Sequence, residues 1–419
     1  MNPAPARWRS RIFAISYVAY FSYYFTRKHF SVVKSSLGIS ENWLGYIDLG
    51  YLIGYAAGQF ASGAAGDKLG PRKLVSFGML ASAVLSIVFA SAGYFTANVL
   101  GVYLACAALN GVVQASGWPG NGKLMASWFS SAHRAEVMGF WTTCYPAGGL
   151  ITNLVAGWLL GWGWRTVYIG MATWVTLVAI AYWLLVRDRP SLVGYDDPEV
   201  PQGTTDRDRE RAYREVWPQI LRNPLTWALG VCHFGHKVVR YGFLFWLPYY
   251  LNTSSLGYGK GESAIIAIAF EAGGIPFSIA AGFVADRLLG RRRILVACAS
   301  SLCLIASLFA YARFGAASMV VNILLLALVG AFLFAADTLV SGAASQDLGG
   351  PYAAALACGL INGLGSIGAV LQAVTLVPIK QAYGWGSVFT LFEGAAALSF
   401  ITLLPFVRWI ARDAESSSR

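Results

Sequence analysis

Charge is scarce in this chain. Asp, Glu, Lys and Arg make up 12% of its 419 residues, against about 25% in ordinary soluble domains. With 57% hydrophobic residues, too little polar surface remains for a water-soluble fold. Acid is scarcer than base, 20 residues against 31. Cysteine and histidine number only six and four. The cysteines (Cys106, Cys144, Cys232, Cys298, Cys303 and Cys358) stand singly in apolar stretches. That argues against a disulfide framework or metal site and for small packing residues. His29, His233 and His236 have neither metal nor catalytic spacing, so hydrogen-bonded histidines are expected, and no metal or cofactor. A glycine-rich Walker-type phosphate loop is missing, so ATP is not the expected driver. No nucleophile stands with an acid–base partner, which makes an enzyme the least supported class. No cleavable leader is expected, since Arg7, Arg9 and Arg11 run straight into a segment long enough to span a membrane.

What the chain has is long apolar runs. A helix needs roughly 20 such residues to cross the hydrocarbon core. They lie near 10–30, 45–66, 73–93, 97–118, 137–159, 164–186, 225–251, 263–285, 294–312, 317–342, 352–379 and 385–409, two sets of six. Lys and Arg gather in alternate loops: Arg7 to Arg11, Lys68 to Lys73, Lys123 and Arg134, the stretch 187–222, Arg287 to Arg293, and Arg408 with Arg412. The intervening loops hold little beyond Lys34, Arg165, Lys260, Arg313 and Lys380. This positive-inside alternation puts both termini and the central linker in the cytoplasm. A nucleic-acid-binding surface would not alternate in this way. The expectation is a monomeric multi-pass protein of a bacterial inner (plasma) membrane, with the bilayer as partner and no nucleic acid.

The one long polar stretch, 187–222, divides the chain into an N-terminal half (1–186) and a C-terminal half (223–419), and the halves repeat. "GAAGDKLGPRK" places Gly63, Asp67 and Arg72 after the second run. "GFVADRLLGRRR" places Gly282, Asp286 and Arg287 after the eighth. Glycine permits close helix approach, the acid caps a helix end or pairs with a base, and the basic cluster anchors at headgroups. Duplicated at corresponding places, these residues form a loop motif that resembles that of the major facilitator superfamily. The resemblance implies an all-α fold of twelve transmembrane helices, in two pseudo-symmetric six-helix halves around a cavity, working by alternating access.

Charges inside spanning segments are functional candidates by default. Arg27 lies well into the first run and Arg240 into the seventh, at nearly equivalent places in the two halves. Two arginines opposed across a cavity suit a phosphate group, because the guanidinium is a planar fork of donors that stays charged. Snorkelling to headgroups is the alternative for each. With them, spread along the chain, stand Tyr24, Arg27 and Phe30; Gly117, Trp118 and Pro119; Trp128 and Phe129; Arg240 and Tyr241 through Leu251; Asp347 to Gly349; and Ile361 to Ala369. These resemble the organophosphate:phosphate antiporters, the family of glycerol-3-phosphate and hexose-phosphate transporters, and lean toward its sugar-phosphate exchanger branch.

The resemblance implies exchange of a phosphorylated organic anion for inorganic phosphate, with Arg27 and Arg240 binding the phosphate. It also implies a Lys28–Glu271 pair across the halves that stabilises one access state; otherwise Glu271 bonds within its own half. The chain departs from bacterial glycerol-phosphate members at Gln59, Tyr145 and Phe245, where they have Lys, His and Asp, so glycerol 3-phosphate specificity does not carry over. Lys237, one helical turn before Arg240, either supplies a further cation or anchors at headgroups. Tyr24, Tyr145, Tyr241, Trp118 and Gln59 complete the expected substrate contacts. Asp337 either faces the membrane interior or caps a helix near a loop. Two rival readings stay open: a membrane sensor of sugar phosphate, and a proton-coupled carboxylate symporter.

Overall fold

The computed structural model describes residues 4–253, 257–258 and 260–410. Within them the apolar runs are helices. The first run is split, with α1 (Ala6–Tyr23) and α2 (Phe25–Val33) meeting at Tyr24. α3 (Glu41–Leu69) turns into α4 (Pro71–Ser91) at Gly70. The φ of 81° there favours glycine, and Pro71 is preset for the first helical position. α5 (Val99–Gln114) and α6 (Gly117–Trp128) make one crossing, α7 (Arg134–Trp141) and α8 (Cys144–Leu160) the next, and α9 (Trp164–Leu185) completes the first set. α10 (Asp206–Arg222) lies in the polar stretch and starts at a capping box of Thr205 and Asp208.

The second set runs through α11 (Pro224–Thr253), α12 (Lys260–Phe283), α13 (Arg293–Phe314), α14 (Met319–Asp337) and α15 (Ser345–Leu403). α15 is too long for one crossing. At about 1.5 Å per residue it would reach about three times the ~30 Å hydrocarbon core. It breaks at Gly350 (φ 54°) and again at Gly384 (φ 77°), and so contains the last two runs. Among the described residues, six helical stretches are long and apolar enough to cross a membrane on length and composition alone. Neither α2 nor α11 is among them, and these carry Arg27, Lys28, Lys237 and Arg240. Large apolar side chains such as Leu154, Trp158, Leu177 and Ile401 stay on the outside, as a surface in contact with lipid requires.

The two halves lock together through the repeated loops. A Cβ on Gly359 would lie 2.5 Å from Gly63 Cα, and one on Gly282 would lie 2.2 Å from Ala135 O. Each motif aspartate then reaches the helix start that its glycine touches. Asp67 accepts from the N–H groups of Ala355 (3.2 Å) and Leu356 (2.8 Å), just past a bend of α15. Asp286 accepts from those of Ala135 (2.7 Å) and Glu136 (3.0 Å) in the first turn of α7. A carboxylate there satisfies N–H groups that have no intrahelical partner and complements the helix dipole. Lys123 pairs with Asp67 at 2.8 Å and donates to Pro351 O and Tyr352 O. Arg134 pairs with Asp347 at 2.5 Å, across the halves. Arg287 pairs with Glu136 at 2.9 Å. Arg72 stays within its own half, donating to Trp183 O. All this lies at the end of the bundle that carries the basic loops.

Candidate functional site

α11 presents His233, Lys237 and Arg240 one turn apart, so all three share a face. Arg240 Nη1 lies 3.3 Å from Asp337 Oδ2 at the end of α14. Its guanidinium stacks over Tyr145 (4.4 Å) and Phe334 (5.1 Å). From the other half, Arg27 donates through Nε to Gln114 Oε1 (3.0 Å) and stacks over Tyr24 (4.9 Å) and Tyr55 (4.8 Å). Gln114 is itself held by Thr26, Ser82 and Tyr51, so one guanidinium edge is fixed. Arg27 Nη2 is buried and has no hydrogen-bond partner among the described residues. Buried charged donors normally find an acceptor, so this nitrogen is available to a ligand.

Both arginines line one central chamber with Tyr20, Tyr24, Tyr55, Trp118, Tyr145, His233, Lys237, Tyr241, Asp337, Ser341 and Asn362. A wider cleft shares Tyr24, Arg27, Arg240 and Tyr241 with the chamber and continues past Lys28, Lys34, Asp48 and Phe245. Toward the locked end, Trp118 Nε1 donates to Ser341 O (3.1 Å) and the Thr142 and Thr338 hydroxyls meet at 2.9 Å. The chamber's formal charges are three cations (Arg27, Lys237, Arg240) against Asp337. In a low-dielectric surround this excess attracts anions strongly.

Most residues proposed from the sequence converge here: Arg27, Arg240, Tyr24, Tyr145, Trp118, Tyr241 and Lys237 all line the chamber. Lys237 donates to Asn362 Oδ1 (2.6 Å) and Ser366 Oγ (2.9 Å) and is buried, which replaces the headgroup-anchor reading. Gln59 is a correction. It lines neither the chamber nor the cleft but is buried on α3, where its backbone packs against Gly359. No ion pair joins Lys28 to Glu271 in this conformation; Lys28 borders the cleft.

Tyr55 escaped the sequence reading, and the partners of Asp337 and His233 were not named in it. Tyr55 carries Arg27 on its ring, with Lys237 5.7 Å away. Asp337 sits inside the chamber rather than capping a loop. His233 Nδ1 lies 2.9 Å from Asp337 Oδ1. His233, His236 and Asp337 bring ligand-type atoms within 4.8 Å of one another. Asp337 also contacts Arg240, and His236 bonds Ser301 (3.0 Å). With Lys237 and Arg240 adjacent, this cluster opposes a divalent cation.

The sequence model for the Major Facilitator Superfamily matches residues 12–373. Among curated relatives, "Putative glycerol-3-phosphate transporter 2" of Arabidopsis thaliana is 28% identical over 96% of this chain and 87% of its own length. "Glucose-6-phosphate exchanger SLC37A2" of Bos taurus is 28% identical over 96% and 95%. Among solved structures, the proton:xylose symporter XylE bound to 6-bromo-6-deoxy-D-glucose superposes with a TM-score of 0.81 at 12% identity, covering 99% of this chain and 100% of that one. FucP in the outward conformation gives 0.72 at 13%, covering 95% and 98%. The likeness to these two structures is one of fold.

Proposed function

The chain belongs to the major facilitator superfamily, as an all-α multi-pass membrane transporter rather than an enzyme, and within that family we propose that it exchanges a phosphorylated organic anion for inorganic phosphate. Arg27 and Arg240 hold the phosphate group from opposite halves. The observation that carries this reading is the shared chamber, with Arg27 Nη2 unpartnered and a net excess of cations. The names of the relatives, transporters and exchangers of glycerol 3-phosphate and glucose 6-phosphate, support the phosphorylated substrate.

Residues 1–186 and 223–419 rock about the chamber, joined by 187–222, with both termini in the cytoplasm. Without an anion, two opposed guanidinium groups repel each other and are costly to desolvate, which disfavours closure. A phosphate dianion neutralises them and permits the swing. The return step needs an anion as well, so exchange outpaces net flux.

The test is labelled-phosphate exchange in phosphate-loaded vesicles. Arg27→Lys and Arg240→Lys each keep the charge but lose the forked donor pair. One lost hydrogen bond to a charged group is worth about 1.5–3 kcal/mol, so exchange at limiting phosphate falls roughly ten- to hundredfold. Wild-type rates in both variants would remove the arginines from the site.

A further inference from the structure

Phosphate binding by the two arginines leaves His233 and Asp337 without a role, yet their hydrogen bonds fix where a proton lies. Lys237, as an ammonium, only donates, and it donates to Asn362 Oδ1 at 2.6 Å. Asn362 therefore turns its carbonyl oxygen toward Lys237. The same oxygen meets His233 Nε2 at 3.0 Å, so Nε2 carries a hydrogen. The other ring nitrogen, Nδ1, faces Asp337 Oδ1 at 2.9 Å. Neither atom has another hydrogen-bond partner among the described residues. A carboxylate only accepts, and an imidazole protonated at Nε2 alone offers a lone pair at Nδ1. Two lone pairs do not face each other at this distance in a buried site, so a second proton lies between them.

The surroundings couple this proton to the chamber. Asp337 is faced by Arg240 from α11 (3.3 Å) and by the Tyr145 hydroxyl from α8 (3.3 Å). His233 is flanked on its own helix by Lys237 and His236, the latter bonded to Ser301 of α13, and by Asn362 of α15. Arg27 and Tyr24 border the same chamber from the first crossing. When the pair is protonated, His233 balances Asp337 and weakens its hold on Arg240, which an incoming phosphate then draws away. When it is deprotonated, Asp337 keeps Arg240 and repels the incoming anion.

We propose that His233 and Asp337 form a proton site linked to anion binding, so that each phosphate-bearing anion is bound together with a proton. This rests on the reading that Arg240 binds phosphate. The proton comes from the water of the cleft and returns to it, and no bond other than N–H or O–H forms or breaks. Linkage is reciprocal: the bound anion raises the pair's hold on its proton, and the proton raises anion affinity. Anion affinity is therefore greatest at low pH and declines as pH rises.

The experiment is calorimetric titration of the full-length protein in nanodiscs with inorganic phosphate between pH 6 and 9, in two buffers of different ionisation enthalpy. Wild type is compared with Asp337→Asn, His233→Gln and Asp337→Glu. Phosphate's own titration is common to all four proteins and cancels in the comparison. Above the free pair's midpoint, wild type and Asp337→Glu should take up about one proton more per phosphate than the other two. Their affinity should also fall by a further factor approaching ten per pH unit above the pair's midpoint. Retention in Asp337→Glu with loss in His233→Gln separates a proton site from a folding defect. Identical proton counts and pH profiles in all four overturn the proposal alone, whereas a wild type that binds no phosphate overturns the exchange reading with it.

Discussion

Asp286 is the sharpest test of the lock between the halves. Its bonds fall into two groups with different consequences. Those from Arg293 (3.1 and 3.0 Å) lie within the C-terminal half. Those from the N–H groups of Ala135 and Glu136 (2.7 and 3.0 Å) cross the halves and exist only while the basic-loop end is closed. Asp286→Asn keeps an acceptor but removes the charge that strengthens the crossing bonds. Hydrogen bonds to charged groups contribute about 1.5–3 kcal/mol each and neutral ones about half that, so the closed state loses roughly 2 kcal/mol. That is a shift of about 30-fold toward the open state. The assay places a cysteine at Met138, which is 1% exposed and packs against Gly342 and Gln346 of the other half. In a background without the native cysteines, a water-soluble maleimide should label Met138→Cys about 30-fold faster when Asp286→Asn is added. Asp67→Asn should act in the same direction through Ala355 and Leu356. Unchanged labelling in a well-folded Asp286→Asn protein would refute the cross-half cap as a determinant of the closed state.

Two further outcomes are expected. Glu199, in the polar stretch, bonds Arg134 at 3.1 Å and accepts from the Ser131 N–H. Burial pushes its carboxyl up, but Arg134 and Ser131 outweigh that and hold it below its ordinary value of 4.5. A depressed acid contributes stability above its unfolded value that is lost as pH falls through the folded one. Amide protection around Glu199, measured against the intrinsic exchange rate, should therefore hold at neutral pH and fall only below the ordinary Glu range, and Glu199→Gln should be poorly protected throughout; equal protection in both would dismiss the contact. For Lys28 and Glu271, each single charge reversal should abolish transport and the double reversal should restore it, through a pair that forms when the cleft end closes. Absence of rescue removes the pair.

The fold was legible because its signals are local or periodic. Run length, loop charge and the duplicated Gly-Asp motif each follow from bilayer thickness or backbone approach, and all lie within short windows of sequence. The arginine pair was legible for a related reason: a charge inside an apolar run is conspicuous, and the repeat supplies its opposite number. Asp337 was legible only as one of two alternatives, because it ends an apolar run, where a helix cap and an in-membrane carboxylate look alike. Only the packing of α14 on α11 places it beside His233 and Arg240. A cue existed nonetheless, since His233, Lys237 and Arg240 share one helical face, and a carboxylate partner for that face was worth seeking. Gln59 misled for the converse reason. Correspondence with a family lysine suggests a site residue, but Gln59 lines neither the chamber nor the cleft. Tyr55, one turn before it on α3, makes the ring contact instead.

The central claim is exchange, and vesicles containing the purified protein test it most directly. One set is loaded with inorganic phosphate and the other with none, and both receive labelled phosphate esters, among them glucose 6-phosphate and glycerol 3-phosphate. The account predicts rapid uptake of at least one ester into phosphate-loaded vesicles and little into the others, with competition by phosphate esters but not by their non-phosphorylated counterparts. Equal uptake into loaded and unloaded vesicles would contradict it.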